Sequence, residues 1–228
     1  MVNRAEGFYN MFGKRISDSI LVILFSPLLL PLIAIVAVMV ALFLGRPILF
    51  RQRRAGVAGR PFEIIKFRSM SDQRNEHDEL LPDTERLSRF GRFLRALSLD
   101  ELPQFYCVLQ GDMSLVGPRP LPVEYIPNYD RNQARRLIVR PGVTGWAQIN
   151  GRQKISFSQR MAYDTWYVDN ISLVLDLRIL VKTVGLVVLG KGVVSGQDTR
   201  EVDDMGLAER MGSTSLRRKE TNRANQNR

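Results

Sequence analysis

One histidine, His77, and one cysteine, Cys107, occur in 228 residues. That scarcity excludes an intramolecular disulfide framework and a His/Cys metal cluster, and it argues against Ser-His or Cys-His nucleophile systems. A lone cysteine also fits a reducing compartment. There is no internal repeat of the kind that builds solenoids. Acidic residues are in deficit, 23 Asp and Glu against 33 Lys and Arg, which leaves a net charge of +10. An acidic partner follows: nucleic acid, an anionic membrane face or phosphorylated small molecules. Any chemistry must rest mainly on carboxylates, arginines and lysines. The length suits one globular domain plus attachments.

What the chain does have is a long apolar run, Ile20 to Leu44, polar only at Ser26. At about 1.5 Å per residue it is long enough to cross a hydrocarbon core of roughly 30 Å. No small-x-small cleavage site follows it, so a removable signal peptide is not expected. Ser26-Pro27 and Pro31 interrupt its first half and predict a sharp bend, with the Ser26 hydroxyl returning to a freed carbonyl. Both flanks are basic: Lys14 and Arg15 before, Arg46, Arg51, Arg53 and Arg54 after. Positive residues favour the cytoplasmic side, so two basic flanks favour a re-entrant helix over a spanning one. Either topology leaves the bulk of the protein cytoplasmic.

Residues 48 to 67 read as a β-hairpin, and a period of two places Ile64, Lys66 and Arg68 on one face of its second strand. Two neighbouring cations there suit either a solvated face or a phosphate grip. Residues 71 to 83 read as an exposed loop. Thr84 to Leu97 then carries Leu87, Phe90, Leu94 and Leu97 at helical spacing against Arg86, Arg89, Arg92 and Arg95, a pattern for an interfacial or a core-packed helix. It leads to Ser98-Leu99-Asp100-Glu101-Leu102-Pro103. Ser98 and Glu101 have capping-box spacing, and a helix start there would hold both carboxylates at the positive end of the dipole and lower their pKa.

A short helix, Leu102 to Gln110, ends at Gly111. In Pro118-Arg119-Pro120 the prolines stiffen the support of the guanidinium. A helix is predicted over Asp130 to Val139, a turn-rich loop over Pro141 to Trp146, and a helix from a second capping box, Ser156 with Gln159, to Asp169. Ile171 to Leu189 is apolar but contains Asp176, Arg178 and Lys182, which argues against a span. The basic tail, 201–228, reads as disordered. The expected class is α+β, mostly helical, with a re-entrant membrane helix, interfacial amphipathic helices and a small hairpin. Its divisions are a membrane-anchoring segment, 1–46, and a catalytic domain at the interface, 47–200.

Together these blocks resemble the bacterial sugar transferases known as monotopic phosphoglycosyl transferases. The resemblance is carried in order by Ser26-Pro27, Lys66-Phe67-Arg68-Ser69-Met70, Ser98 to Gln104, Gly111 to Pro120, Pro141 to Arg152 and Tyr163-Asp164 through Asp176. It implies transfer of a sugar 1-phosphate from a UDP-sugar to a polyprenol phosphate, such as undecaprenyl phosphate, with release of UMP. Asp100 would be the nucleophile and a Mg²⁺ ligand, and Glu101 would assist it. Lys66, Arg68, Arg95 and Arg119 would hold phosphate, with Gln148, Asp164 and Asp176 supporting. The implied setting is the cytoplasmic face of the bacterial inner membrane and its lipids. Nucleic acid is then no partner, a homodimer is left open, and the expected form is the minimal one, without the extra N-terminal membrane helices of larger members. The rival reading is a non-catalytic membrane-anchored basic protein binding anionic lipid or nucleic acid, which leaves Asp100 and Glu101 idle.

Overall fold

The computed structural model describes residues 9–151, 155–189 and 204–206. Helix predominates, accompanied by two small two-stranded sheets. A π-helical turn, Tyr9–Gly13, leads into α1, Lys14–Leu44. Its 31 residues include Pro27 and Pro31, and its length is about 46 Å. The Ser26 hydroxyl donates to the Ile23 carbonyl at 2.7 Å, the group that Pro27 leaves without a backbone donor. Side chains from Ile23 to Ile35 are largely exposed, Leu28 at 71%.

Both ends of α1 pack on the same body. Near its start, Val22 joins the main core with Val108, Met113, Tyr167 and Ile179, and Arg15 donates to the carbonyls of Val108 and Leu109. Near its end, Val36 and Val40 pack with Phe67 and Leu94.

The hairpin consists of β1, Leu49–Ala55, and β2, Pro61–Phe67, antiparallel with Phe50 opposite Lys66 and Arg54 opposite Phe62. The helix expected over 84 to 97 is instead two. Helix α2, Asp83–Arg86, stops because Leu87 turns extended, and α3, Arg89–Ala96, restarts where Ser88 Oγ accepts from Gly91 N–H. Gly91 is required for contact: a Cβ there would sit 1.9 Å from the Ser69 carbonyl oxygen. Helix α3 buries Leu94 and exposes Phe93.

The Ser98 cap does not form. Ser98 is left-handed (φ 55°, ψ 24°), makes no capping bond, and leads into a 3-10 turn, Leu99–Glu101. Helix α4, Gln104–Gln110, follows and ends on Gly111 at φ 95°. Strands β3, Ser114–Val116, and β4, Gly142–Thr144, pair in parallel, a pairing the turn-rich sequence conceals. The segment from Asp130 to Val139 is a 3-10 turn, Gln133–Leu137, rather than an α-helix. Helix α5, Trp146–Asn150, precedes α6, Phe157–Asp169, which opens on the Ser156/Gln159 capping box. In α7, Leu173–Val188, Asp176 and Ile179 are buried while Val174, Leu177, Val181 and Val184 are exposed. Apart from Asp204–Gly206, the tail from 201 onward lies outside the described residues.

Candidate active site

Asp100 and Glu101 are neighbours with opposite surroundings. The 3-10 turn places Glu101 beneath the hairpin, where Lys66 Nζ and Arg119 Nη2 both donate to Oε1 at 2.6 Å. Arg119 Nη1 lies 3.4 Å from Oε2. Burial opposes ionisation of Glu101, but Arg119 and then Lys66 outweigh it and hold the carboxyl well below its ordinary range. Glu101 is therefore a fixed anion that orients two cations.

Asp100 is 8% exposed and, among the described residues, accepts no hydrogen bond and forms no ion pair. Burial first, and the Glu101 charge second, push it up to about 6, against the pull of Lys66, Arg95 and Arg119. The expected lowering by a helix dipole is thus reversed. Glu101 spends its oxygens on the cations, and the Asp100 carboxylate stays open to a reactant.

Arg95, at the end of α3, donates from Nε to Ser69 Oγ at 3.0 Å and lies close enough to favour the Asp100 anion. Arg68 is not part of this group. It donates to the Leu44 carbonyl, to the Arg46 carbonyl at 3.4 Å and to Asp72 at 2.8 Å, closing the end of α1. The strand has ended at Phe67, so the period of two no longer aims residue 68.

Asp164 reaches the dyad only through Arg136 and Arg119, and Asp176 bonds to other partners. Asp164 accepts from Arg136 Nε at 3.1 Å and Nη2 at 2.7 Å, and Arg136 Nη2 also donates to the Arg119 carbonyl at 2.6 Å. Burial opposes the Arg136 charge, yet Asp164 raises its pKa above the ordinary guanidinium value. Asp176 accepts from Tyr9 at 2.7 Å, from Tyr167 at 2.6 Å and from Lys14, so it ties α1 to α6 and α7. Gln148 lies beside Gly145, where a Cβ would meet the Gly117 carbonyl oxygen at 2.1 Å and Gln148 Oε1 at 2.9 Å. Both of its amide atoms are buried and have no hydrogen-bond partner among the described residues.

Sequence reasoning missed Arg136, because no spacing separates a buried arginine from its solvated neighbour Arg135. It also counted Arg54 only as flanking charge. No three His, Cys, Asp or Glu side chains converge among the described residues. Asp100 is the open carboxylate of the dyad, which suits a divalent cation held chiefly by substrate phosphates.

The bacterial sugar transferase family model matches residues 9–190. An uncharacterized sugar transferase of Bacillus subtilis, EpsL, is 53% identical over 154 residues, 68% of this chain and 76% of that protein. A UDP-glucose:undecaprenyl-phosphate glucose-1-phosphate transferase of Xanthomonas campestris is 40% identical over 186 residues, 77% of this chain and 38% of the relative. A UDP-N-acetylgalactosamine-undecaprenyl-phosphate N-acetylgalactosaminephosphotransferase of Aeromonas hydrophila is 39% identical over 189 residues, 79% of this chain and 45% of the relative. The chain thus spans less than half the length of the latter two. The matched segment runs from the π-helical turn through α7 and contains the dyad with every cation around it, which places this chain in the bacterial sugar transferase family.

Proposed function

We propose that the protein transfers a sugar 1-phosphate from a UDP-sugar to a polyprenol phosphate at the cytoplasmic face of the bacterial inner membrane, as an early membrane step of glycan assembly. The observation that carries this reading is Asp100: a buried carboxylate that accepts no hydrogen bond among the described residues, set among Lys66, Arg95 and Arg119. The activities for which the Xanthomonas and Aeromonas relatives are named supply the substrate class.

An Asp100 oxygen attacks the β-phosphorus of the donor. The bond from that phosphorus to the bridging oxygen breaks, and UMP leaves with the electron pair. A phosphosugar-aspartyl intermediate remains. The polyprenol phosphate oxygen then attacks the same phosphorus, breaks its bond to Asp100 and restores the carboxylate. Carboxylates form such phosphorus intermediates in ATPases. Lys66 and Arg119, fixed by Glu101, balance charge on the phosphates, because transfer of this kind depends on positioning and electrostatics. Mg²⁺ held by Asp100 and the donor phosphates would supply further charge neutralisation.

A re-entrant course for α1 is part of the reading. Both ends of the helix pack on one body while residues between them are exposed and apolar, which supports entry and return through one leaflet. The exposed apolar side chains of α3 and α7 suit the headgroup region.

The test is Asp100→Asn in the full chain, assayed with a panel of UDP-sugars, polyprenol phosphate and Mg²⁺. The variant is expected to fold and bind membranes but release no UMP and trap no labelled sugar phosphate. Near-normal turnover in that variant would exclude Asp100 as the nucleophile.

A further inference from the structure

Arg54 is a half-buried cation that pairs with no carboxylate among the described residues. It sits on β1 opposite Phe62, while Lys66 sits on β2 opposite Phe50. Directly opposed residues of an antiparallel pair share a face, so Arg54, Gln52, Ile64 and Lys66 project to the same side of the hairpin. Exposed Arg51 and Arg53 project to the other. The rows of Arg54 and Lys66 are four residues apart, about 13 Å along the strands.

The loop carrying Arg119 runs past the Arg54 end. Ala55 N–H donates to the Leu121 carbonyl at 2.9 Å, and Ala55 and Gly56 share a small cleft with Pro118, Arg119 and Pro120. Arg54 forms no ion pair among the described residues. Its Nη2 donates to the neutral Gln52 Oε1 at 2.6 Å, and its Nε is buried with no partner. Burial, and next the Arg119 charge, push Arg54 down to about 10, with only weaker help from Tyr125, Glu124 and Glu101. Arg160 adds another cation near Arg119 and Arg136. A guanidinium held beside the Arg119 guanidinium, with a buried donor unspent, is an arrangement that an anion completes.

We propose that Arg54 is a donor-binding residue that grips the nucleoside-side phosphate of the sugar nucleotide, and the phosphate of the UMP product after transfer. This rests on the proposed function for the identity of the ligand. Lys66 stands at the reacting end beside Asp100, and Arg54 at the opposite end of the same face. Arg119 lies between them, able to serve both phosphates.

The experiment uses full-length protein in detergent or nanodiscs, with Arg54→Gln and Arg54→Lys. UDP binding is measured by calorimetry, and UMP release gives separate KM values for UDP-sugar and polyprenol phosphate. Loss of charge-assisted hydrogen bonds should weaken UDP binding by about tenfold or more in Arg54→Gln. KM for UDP-sugar should rise while KM for polyprenol phosphate stays unchanged. Arg54→Lys should fall between, because it keeps the charge and loses the fork. Thermal unfolding accompanies each measurement, and a purely structural role would lower Tm and degrade both substrates together. Equal UDP affinity in wild type and Arg54→Gln, or a rise confined to the polyprenol phosphate KM, overturns the assignment even if UMP is formed. UDP binding that depends on Arg54, in a wild-type protein that releases no UMP from any UDP-sugar, keeps the site and overturns the proposed reaction instead.

Discussion

Arg136 donates to the backbone carbonyl of Arg119 at 2.6 Å, from a guanidinium otherwise engaged by Asp164 and Tyr129. Arg119 is consequently held twice, by its side chain on Glu101 and by its own carbonyl. Pro118 and Pro120 limit the backbone between those anchors. Such a support matters for a residue proposed to meet a phosphate, since small displacements of a catalytic group cost large factors in rate.

Asp164→Ala should therefore be severely destabilising, by about 3–5 kcal/mol, because it leaves the Arg136 charge buried without its partner. Pairing it with Arg136→Met removes the orphaned charge, and much of the lost stability should return. Arg119 would still lack its carbonyl anchor. Thermal unfolding and UMP release on the single and double variants check this: Tm recovers in the double variant and kcat does not. Recovery of both would show that the Arg136 contact is unnecessary for Arg119.

The position of Asp100 on the pH scale gives a second prediction. The proposed attack requires the carboxylate, and burial with the Glu101 charge raises its pKa to about 6. UMP formation should rise with pH through about 6 and level off above it. Stability runs the other way. The folded protein holds this proton more tightly than the unfolded chain, whose carboxyl titrates near ~3.9. Asp100 therefore favours folding fully below that value and loses its contribution as pH rises through about 6. Asp100→Asn should accordingly raise Tm at pH 7.5 by removing a destabilising charge, and change it little at pH 4. Unfolding scans at the two pH values check the sign, and a lower Tm for the variant at pH 7.5 contradicts it.

The elements most legible in the sequence were those with a local cause. The hairpin followed from β-branched residues around two glycines, and α6 from a capping box that forms as spaced. Ser26 returns its hydroxyl to Ile23, as a proline one residue later requires. The Ser98 box failed because its glutamate is worth more elsewhere: two cations from distant segments claim the Glu101 carboxylate, which cannot also cap. Arg68 leaves the row of Lys66 for a related reason, since the carbonyls at the end of α1 take it once the strand ends. The β3-β4 pairing and the Arg136 anchor depend on partners 28 residues away in sequence, where local pattern carries no signal. Asp100 and Glu101 were identifiable as a pair, but their division into one open and one locked carboxylate needed the tertiary arrangement.

Gln148 carries the last prediction. Its amide oxygen and nitrogen are both buried and unpartnered among the described residues, beside the glycines that let the Gly117 turn come close. An orphaned amide of this kind costs about 1–3 kcal/mol, and an apolar replacement of similar shape removes that cost. Gln148→Met should thus keep or raise Tm. If the amide is reserved for the donor, the same variant should raise KM for UDP-sugar by about tenfold, as loss of a hydrogen-bonding group in a polar site does. Stability and kinetics then move in opposite directions, which no packing defect produces. Unfolding scans run beside UMP assays across a UDP-sugar series check it. A Tm that falls in proportion to activity would return Gln148 to a structural role, and an unchanged KM with raised Tm would leave the amide without a part in donor binding.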